Sequence, residues 1–237
     1  MIEKALRYFN SFRDIQVIPH NGLSYTNDKI YQMPEDAPTV FSTKTLASLV
    51  ELILKEHSHG SLNDLIVHVD SPTRVNVHTV LRGHLDRFNL YSATAELPRI
   101  TLDSYLDLEA MNILLKSAFV QNGTRDQLIK VLSQVVEDAI KTSADDGMAQ
   151  EVTVKTGIRT LAKMEMPTIV KLAPYRTFVE VAQPEGEFLL RMRKGPEAAL
   201  FEADGGAWKL AARKNIKQYF GVALADLIAA GKVIVTE

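Results

Sequence analysis

The amino-acid sequence predicts an α+β protein with mixed, largely antiparallel sheets, a helical hairpin, a C-terminal helix and an extended N-terminal arm. Three observations carry this reading. Strand-length apolar runs come in clusters instead of alternating regularly with helices, which argues against a doubly wound parallel sheet. Several windows repeat apolar residues at helical spacing. Between residues 65 and 81, a strict alternation fits two antiparallel strands joined by a short turn.

Taken in order, residues 1–41 read as an arm. The stretch from Asp14 to Ala37 lacks periodicity and holds Pro19, Gly22 and Pro34, so it suits a segment wrapped over the body or over a neighbouring subunit. Residues 42–237 read as a single α+β domain, or as two lobes meeting near residue 148. Leu46, Leu49, Val50, Ile53 and Leu54 lie on one helical face, with Ser42 or Thr43 placed to cap its start and Gly60 to end it. Leu65 to Asp70 and Arg74 to Leu81 form the hairpin. A three-residue loop pairing Asp70 with Arg74 puts Leu65, Val67 and Val69 on the face of Val75, Val77 and Thr79. A third strand runs from Phe88 to Ala95. Leu106, Met111, Leu114, Leu115 and Phe119 place a second helix within Leu102 to Val120. Thr124 and Gln127 make a capping box for a third helix, whose seam runs from Leu128 through Val131, Leu132, Val135, Val136 and Ala139 to Ile140 before Asp145, Asp146 and Gly147. So short a break between these two helices predicts an antiparallel hairpin. Later strands are expected at Glu151 to Thr156, Thr168 to Leu172, Glu187 to Arg193, Ala198 to Ala203 and Lys232 to Thr236.

The most informative stretch is Ala199 to Phe220. Its strand is stopped by Gly205 and Gly206, Asp204 is placed as an N-cap, and Trp208, Ala212, Ile216, Tyr219 and Phe220 form the packed face of a helix. Lys209, Arg213, Lys214 and Lys217 make a basic stripe that no acidic residue interrupts between Gly205 and Gly221. The stripe is the candidate contact for an anion or a nucleic acid. The plainer reading is a solvated face balanced by its neighbours.

Composition bounds the rest. Twenty-seven Lys and Arg against 29 Asp and Glu give a net charge of -2, which does not support a dedicated nucleic-acid binder. With no cysteine, disulfides, thiolate metal sites and thiol catalysis are excluded. No 18-residue apolar run marks a membrane span. The charged, amphipathic start MIEKALRYFNSFRD lacks a signal peptide's apolar core, so a cytoplasmic location is expected. Five of six histidines lie between His57 and His84, and the hairpin register puts His68 diagonal to His78 with Asp70 nearby, a set of metal-ligand types without a metal motif. Glu202 and Asp204, two apart at a strand end, face the same way as paired carboxylates would. Nothing matches GxGxxG, a P-loop or GxSxG, so no catalytic residue and no cofactor is assigned.

The pieces SADDG at 143–147, VKTGI at 154–158, LAPYRTF at 172–178 and ALFEADGGAWKL at 199–210 occur in order, and with them the chain resembles the YfdQ-like family of phage and prophage proteins. The resemblance spans roughly residues 40–220 and carries over no catalytic residue. It implies a phage or prophage origin, a bacterial host cell and an early or accessory gene. The expected function is therefore that of a non-enzymatic accessory protein. It would act by self-association and by binding a phage or host protein, within reach of a large symmetric assembly. The alternative is a nucleotide- or nucleic-acid-associated protein, or an enzyme of phage DNA metabolism or host takeover, working through the basic stripe and the histidine face.

Overall fold

The computed structural model describes residues 2, 4, 17–20, 23–26, 38–58, 64–81, 86–140, 149–155, 161–193 and 195–237, and shows an α+β fold. The chain divides into two units, residues 1–37 and 38–237. In the first, β1 (Val17–His20) pairs antiparallel with β2 (Leu23–Thr26), so the stretch read as an aperiodic arm contains a hairpin.

The second unit has two hydrophobic cores. One lies under a five-stranded sheet ordered β14-β4-β5-β6-β3, made of β3 (Phe41–Thr43), β4 (Leu65–Ser71), β5 (Arg74–Thr79), β6 (Asn89–Thr94) and β14 (Val233–Thr236). Its inner pairs are antiparallel and both outer pairs, β14 with β4 and β3 with β6, are parallel. The hairpin follows the expected register from Leu65↔Thr79 to Val69↔Val75. A bulge then pairs Ser71 with Arg74, so the loop itself is two residues long. Val67, Val69, Val75 and Val77 are buried against α1 (Leu46–Ser58) and α4 (Trp208–Ala223), which contribute Leu49, Ile53, Ile216 and Phe220. A short α5 (Ala225–Ala229) follows α4.

The other core lies between a four-stranded antiparallel sheet and a helical hairpin. The sheet is ordered β11-β12-β13-β7 and comprises β7 (Leu106–Asp107), β11 (Ile169–Leu172), β12 (Gly186–Arg193) and β13 (Glu197–Glu202). The hairpin helices are α2 (Leu108–Ala118) and α3 (Gly123–Leu132), which bury Met111, Leu115, Leu128 and Leu132 on Leu172, Phe188 and Leu200. A third antiparallel sheet joins β8 (Val135–Ile140), β9 (Ala149–Lys155) and β10 (Leu161–Pro167) in the order β10-β9-β8.

Several expectations are corrected, each for a local reason. The second helix does not fill the stretch from Leu102 to Val120. Asp107 caps it by accepting from the Ala110 N–H at 2.7 Å, and Phe119 leaves it in extended backbone to bridge Pro174. The third helix stops at Leu132 and does not reach Ile140. Its N-cap is Asn122, which takes the Arg125 N–H at 2.8 Å, and the β-branched Val135 begins a strand paired with Val154. Ser42 and Thr43 are spent on β3, so α1 is capped by Thr45, whose Oγ1 accepts from the Ser48 N–H, and by Glu180. Gly60 and the stretch from Asp145 to Gly147, expected to end helices, lie outside the described residues. A division near residue 148 does not match the cores, because each takes residues from both sides of it.

Candidate functional site

The marker pieces LAPYRTF and FEADGGAW are two of the crossovers between the cores, and they meet. Leu172 is buried in one core and Phe178 in the other. Likewise β13 belongs to the first core and α4 to the second, joined by a turn in which Gly205 and Gly206 have φ of 61° and 81°. Only glycine adopts such angles freely. Asp204 shapes this turn by accepting from the Gly206 N–H at 2.9 Å, and is not the N-cap: Ala207 stands there without a side-chain cap. The pieces SADDG and most of VKTGI lie outside the described residues.

Arg176 joins the crossovers. Its side chain is 8% exposed, and Nη1 donates to Glu202 Oε1 at 2.6 Å while Nη2 lies 3.7 Å from Asp204 Oδ2. The guanidinium stacks on the Trp208 ring at 4.1 Å and reaches Phe188 at 5.7 Å. Burial pulls the Arg176 pKa below its ordinary value, and the charges of Glu202 and Asp204 push it back up. The two carboxylates do face the same way, as expected, but toward a guanidinium that stays charged. Gly186 allows this: a Cβ there would stand 2.5 Å from Arg176 Nη2 and 2.8 Å from Asp204 Oδ2. Around the knot, Thr177 Oγ1 donates to the Pro72 carbonyl at 2.5 Å in the β4–β5 turn. The Gln183 amide also ties the backbone of residues 176–181. In the sequence this Arg is marked only by its place within the LAPYRTF piece. The available signal was a lone cation in an otherwise apolar LAPYRTF, since a buried charge needs a partner.

Beside the knot lies a cleft of about 280 Å³. Glu185, Gly186, Glu187 and Lys171 line it from the strands, Ala207, Trp208 and Ala211 from α4, and Asp204 completes it. Lys171 pairs with Glu187 at 3.5 Å.

The basic stripe is less uniform than its spacing suggests. Lys209, Lys214 and Lys217 are exposed, but Lys217 pairs with Glu237 at 3.5 Å. Arg213 is half-buried with its Nε out of solvent and without a hydrogen bond. Lys209 lays its chain against Gly206 and its ammonium 5.9 Å from the Trp208 ring. The four are thus not presented as one array.

His68, Asp70, Arg74, Asn76 and His78 lie on the sheet face opposite the core, as the register requires. His68 Nδ1 lies 3.1 Å from Thr236 Oγ1, and Ser92 Oγ donates to Asn76 Oδ1 at 2.9 Å, so Thr236, His68, Asn76, Ser92 and Ser42 make a polar row across all five strands. Burial lowers the His78 pKa, the neighbouring His68 and Arg87 lower it further, and Asp70 opposes them. Among the described residues no group of three His, Asp or Glu side chains is placed to hold a metal ion.

A second recess lies at an edge of the five-stranded sheet. β3 has a strand partner on one side only among the described residues, and Phe41 is 57% exposed. Phe41 is in register with the buried Tyr91, so it points to the core face, beyond the cover of α1. There a groove of about 950 Å³ is lined by Phe41, Thr43 and Lys44 from the strand side and by Ser48, Leu52 and Lys55 from α1.

Comparison with protein-family models, with curated proteins and with solved structures finds no match to this chain. No helix among the described residues is long and apolar enough to cross a membrane.

Proposed function

We propose that the protein is a phage or prophage accessory protein that works by binding, through self-association and contact with a phage or host protein. The observation that carries this reading is the β3 edge: backbone without a strand partner on its outer side among the described residues, an exposed Phe41 and an adjoining groove along α1. An open edge strand is a template for another strand, and alternate side chains of the added strand fill the pockets beside it. Here the added strand belongs to a second copy, and its inward side chain lies in the groove that Phe41 leaves open. The phage or prophage origin rests on the ordered pieces that resemble the YfdQ-like family. Two of them form the Arg176 knot, which gives those residues a shared structural purpose.

Light scattering behind a sizing column tests the reading on the full-length chain. The expected mass exceeds the 26.4 kDa of one copy, and Phe41→Asp lowers it by placing a carboxylate in the apolar edge. A wild-type chain that stays at 26.4 kDa at every concentration would overturn self-association.

A further inference from the structure

The cleft beside Arg176 lies on other elements than the β3 edge. Its α4 wall is Ala207, Trp208 and Ala211. Lys214 follows Ala211 by three residues, so it stands on the same outward helix face, about 10 Å along the axis from Ala207. This single face therefore has an acidic recess at one end and a cation at the other. Of the recess carboxylates, Glu187 is taken by Lys171 and Asp204 by Arg176, whereas neither Glu185 nor Lys214 has an ion pair among the described residues. Between the two ends the surface is small and apolar, with Ala207 and Ala211 exposed and Leu210 54% exposed on its flank.

We infer that this face is self-complementary: a second copy docks antiparallel on α4, and Lys214 of each copy enters the recess of the other beside Glu185. A two-fold axis brings unlike ends of such a face together, and the Ala side chains let the helices approach closely. A nucleic acid is disfavoured here because its phosphates would meet the carboxylates of the recess. The inference rests on the self-association proposed above and names one surface for it.

Charge reversal tests the pairing on the full-length chain, with mass followed by light scattering against concentration. Glu185→Lys and Lys214→Glu each weaken association by about tenfold, and the double variant Glu185→Lys/Lys214→Glu returns to within about threefold of wild type, because the opposed charges are restored in exchanged positions. An assembling chain that ignores the single reversals, or a double variant as weak as either single one, overturns this surface and leaves self-association standing. A monomeric wild type overturns both. Tighter nucleic-acid retention by Glu185→Lys, read from the absorbance ratio at 260 and 280 nm, with no change in mass, also overturns it.

Discussion

At the scale of single residues, the protein is organised around a cation that the fold cannot leave alone. Arg176 is buried between Trp208 and Phe188, and among the described residues Glu202 and Asp204 compensate its charge. Arg176→Met keeps the volume but strips the carboxylates of their partner. It lowers stability to denaturant by about 3 kcal/mol, and Arg176→Lys recovers little, because an ammonium lacks the planar fork that lies flat on Trp208 while facing both carboxylates. Gly186→Ala costs about 1–3 kcal/mol in the wild type, since its Cβ meets the buried Arg176 guanidinium and the Asp204 carboxylate. In the Arg176→Met background the part of that cost due to the guanidinium disappears, and the part due to Asp204 Oδ2 remains. Full additivity of the two changes, measured by urea titration, would show that Gly186 is small for some other reason.

At the scale of elements, helix ends decide what periodicity leaves open. The N-terminus of α1 is held from across the chain: Glu180 Oε1 accepts from the Leu46 N–H at 2.7 Å and from the Ala47 N–H at 3.4 Å. No sequence spacing predicts a cap 134 residues away. Glu180→Ala removes a charged acceptor from the helix N-terminus and lowers stability by about 1 kcal/mol, seen as a fall in Tm, whereas Ser42→Ala changes Tm little. The same limit explains the third helix. Its apolar seam continues past Leu132, yet the Ser133 hydroxyl donates to the Ile129 carbonyl at 2.7 Å and the valines beyond are taken by β9. Where a helical seam is also rich in β-branched residues, strand partners decide the outcome.

At the scale of the whole molecule, residues 38–237 are one unit because the chain crosses between its two cores and returns. The segment from Leu172 to Phe178 and the β13–α4 turn are both crossings, and Arg176 fastens one to the other. Cutting the chain near residue 148 therefore yields no folding half. Fragments 1–148 and 149–237, examined apart by circular dichroism and amide exchange, are expected to lack protected cores, and mixing them is expected to restore protection. A fragment that folds alone would show that one core is self-sufficient. The two proposed contact surfaces, β3 with its groove and the α4 face with its recess, lie on different elements. Together they permit assemblies larger than a dimer.

Much of this architecture was legible before any coordinates. The α+β class, the β4–β5 register, the helical hairpin, the strand–glycine turn–helix of residues 197–223 and the shared orientation of Glu202 and Asp204 all follow from periodicity, turn chemistry and alternation, which are local. The partners of those residues are not local. That Arg176 is the charge met by the carboxylates, that Glu180 caps α1, that Lys217 is taken by Glu237, and that Phe41 lies exposed on the outer strand β3 are consequences of strand order and crossovers. Side-chain period tells a residue which way to face, but only the tertiary structure brings distant segments within hydrogen-bonding reach of one another.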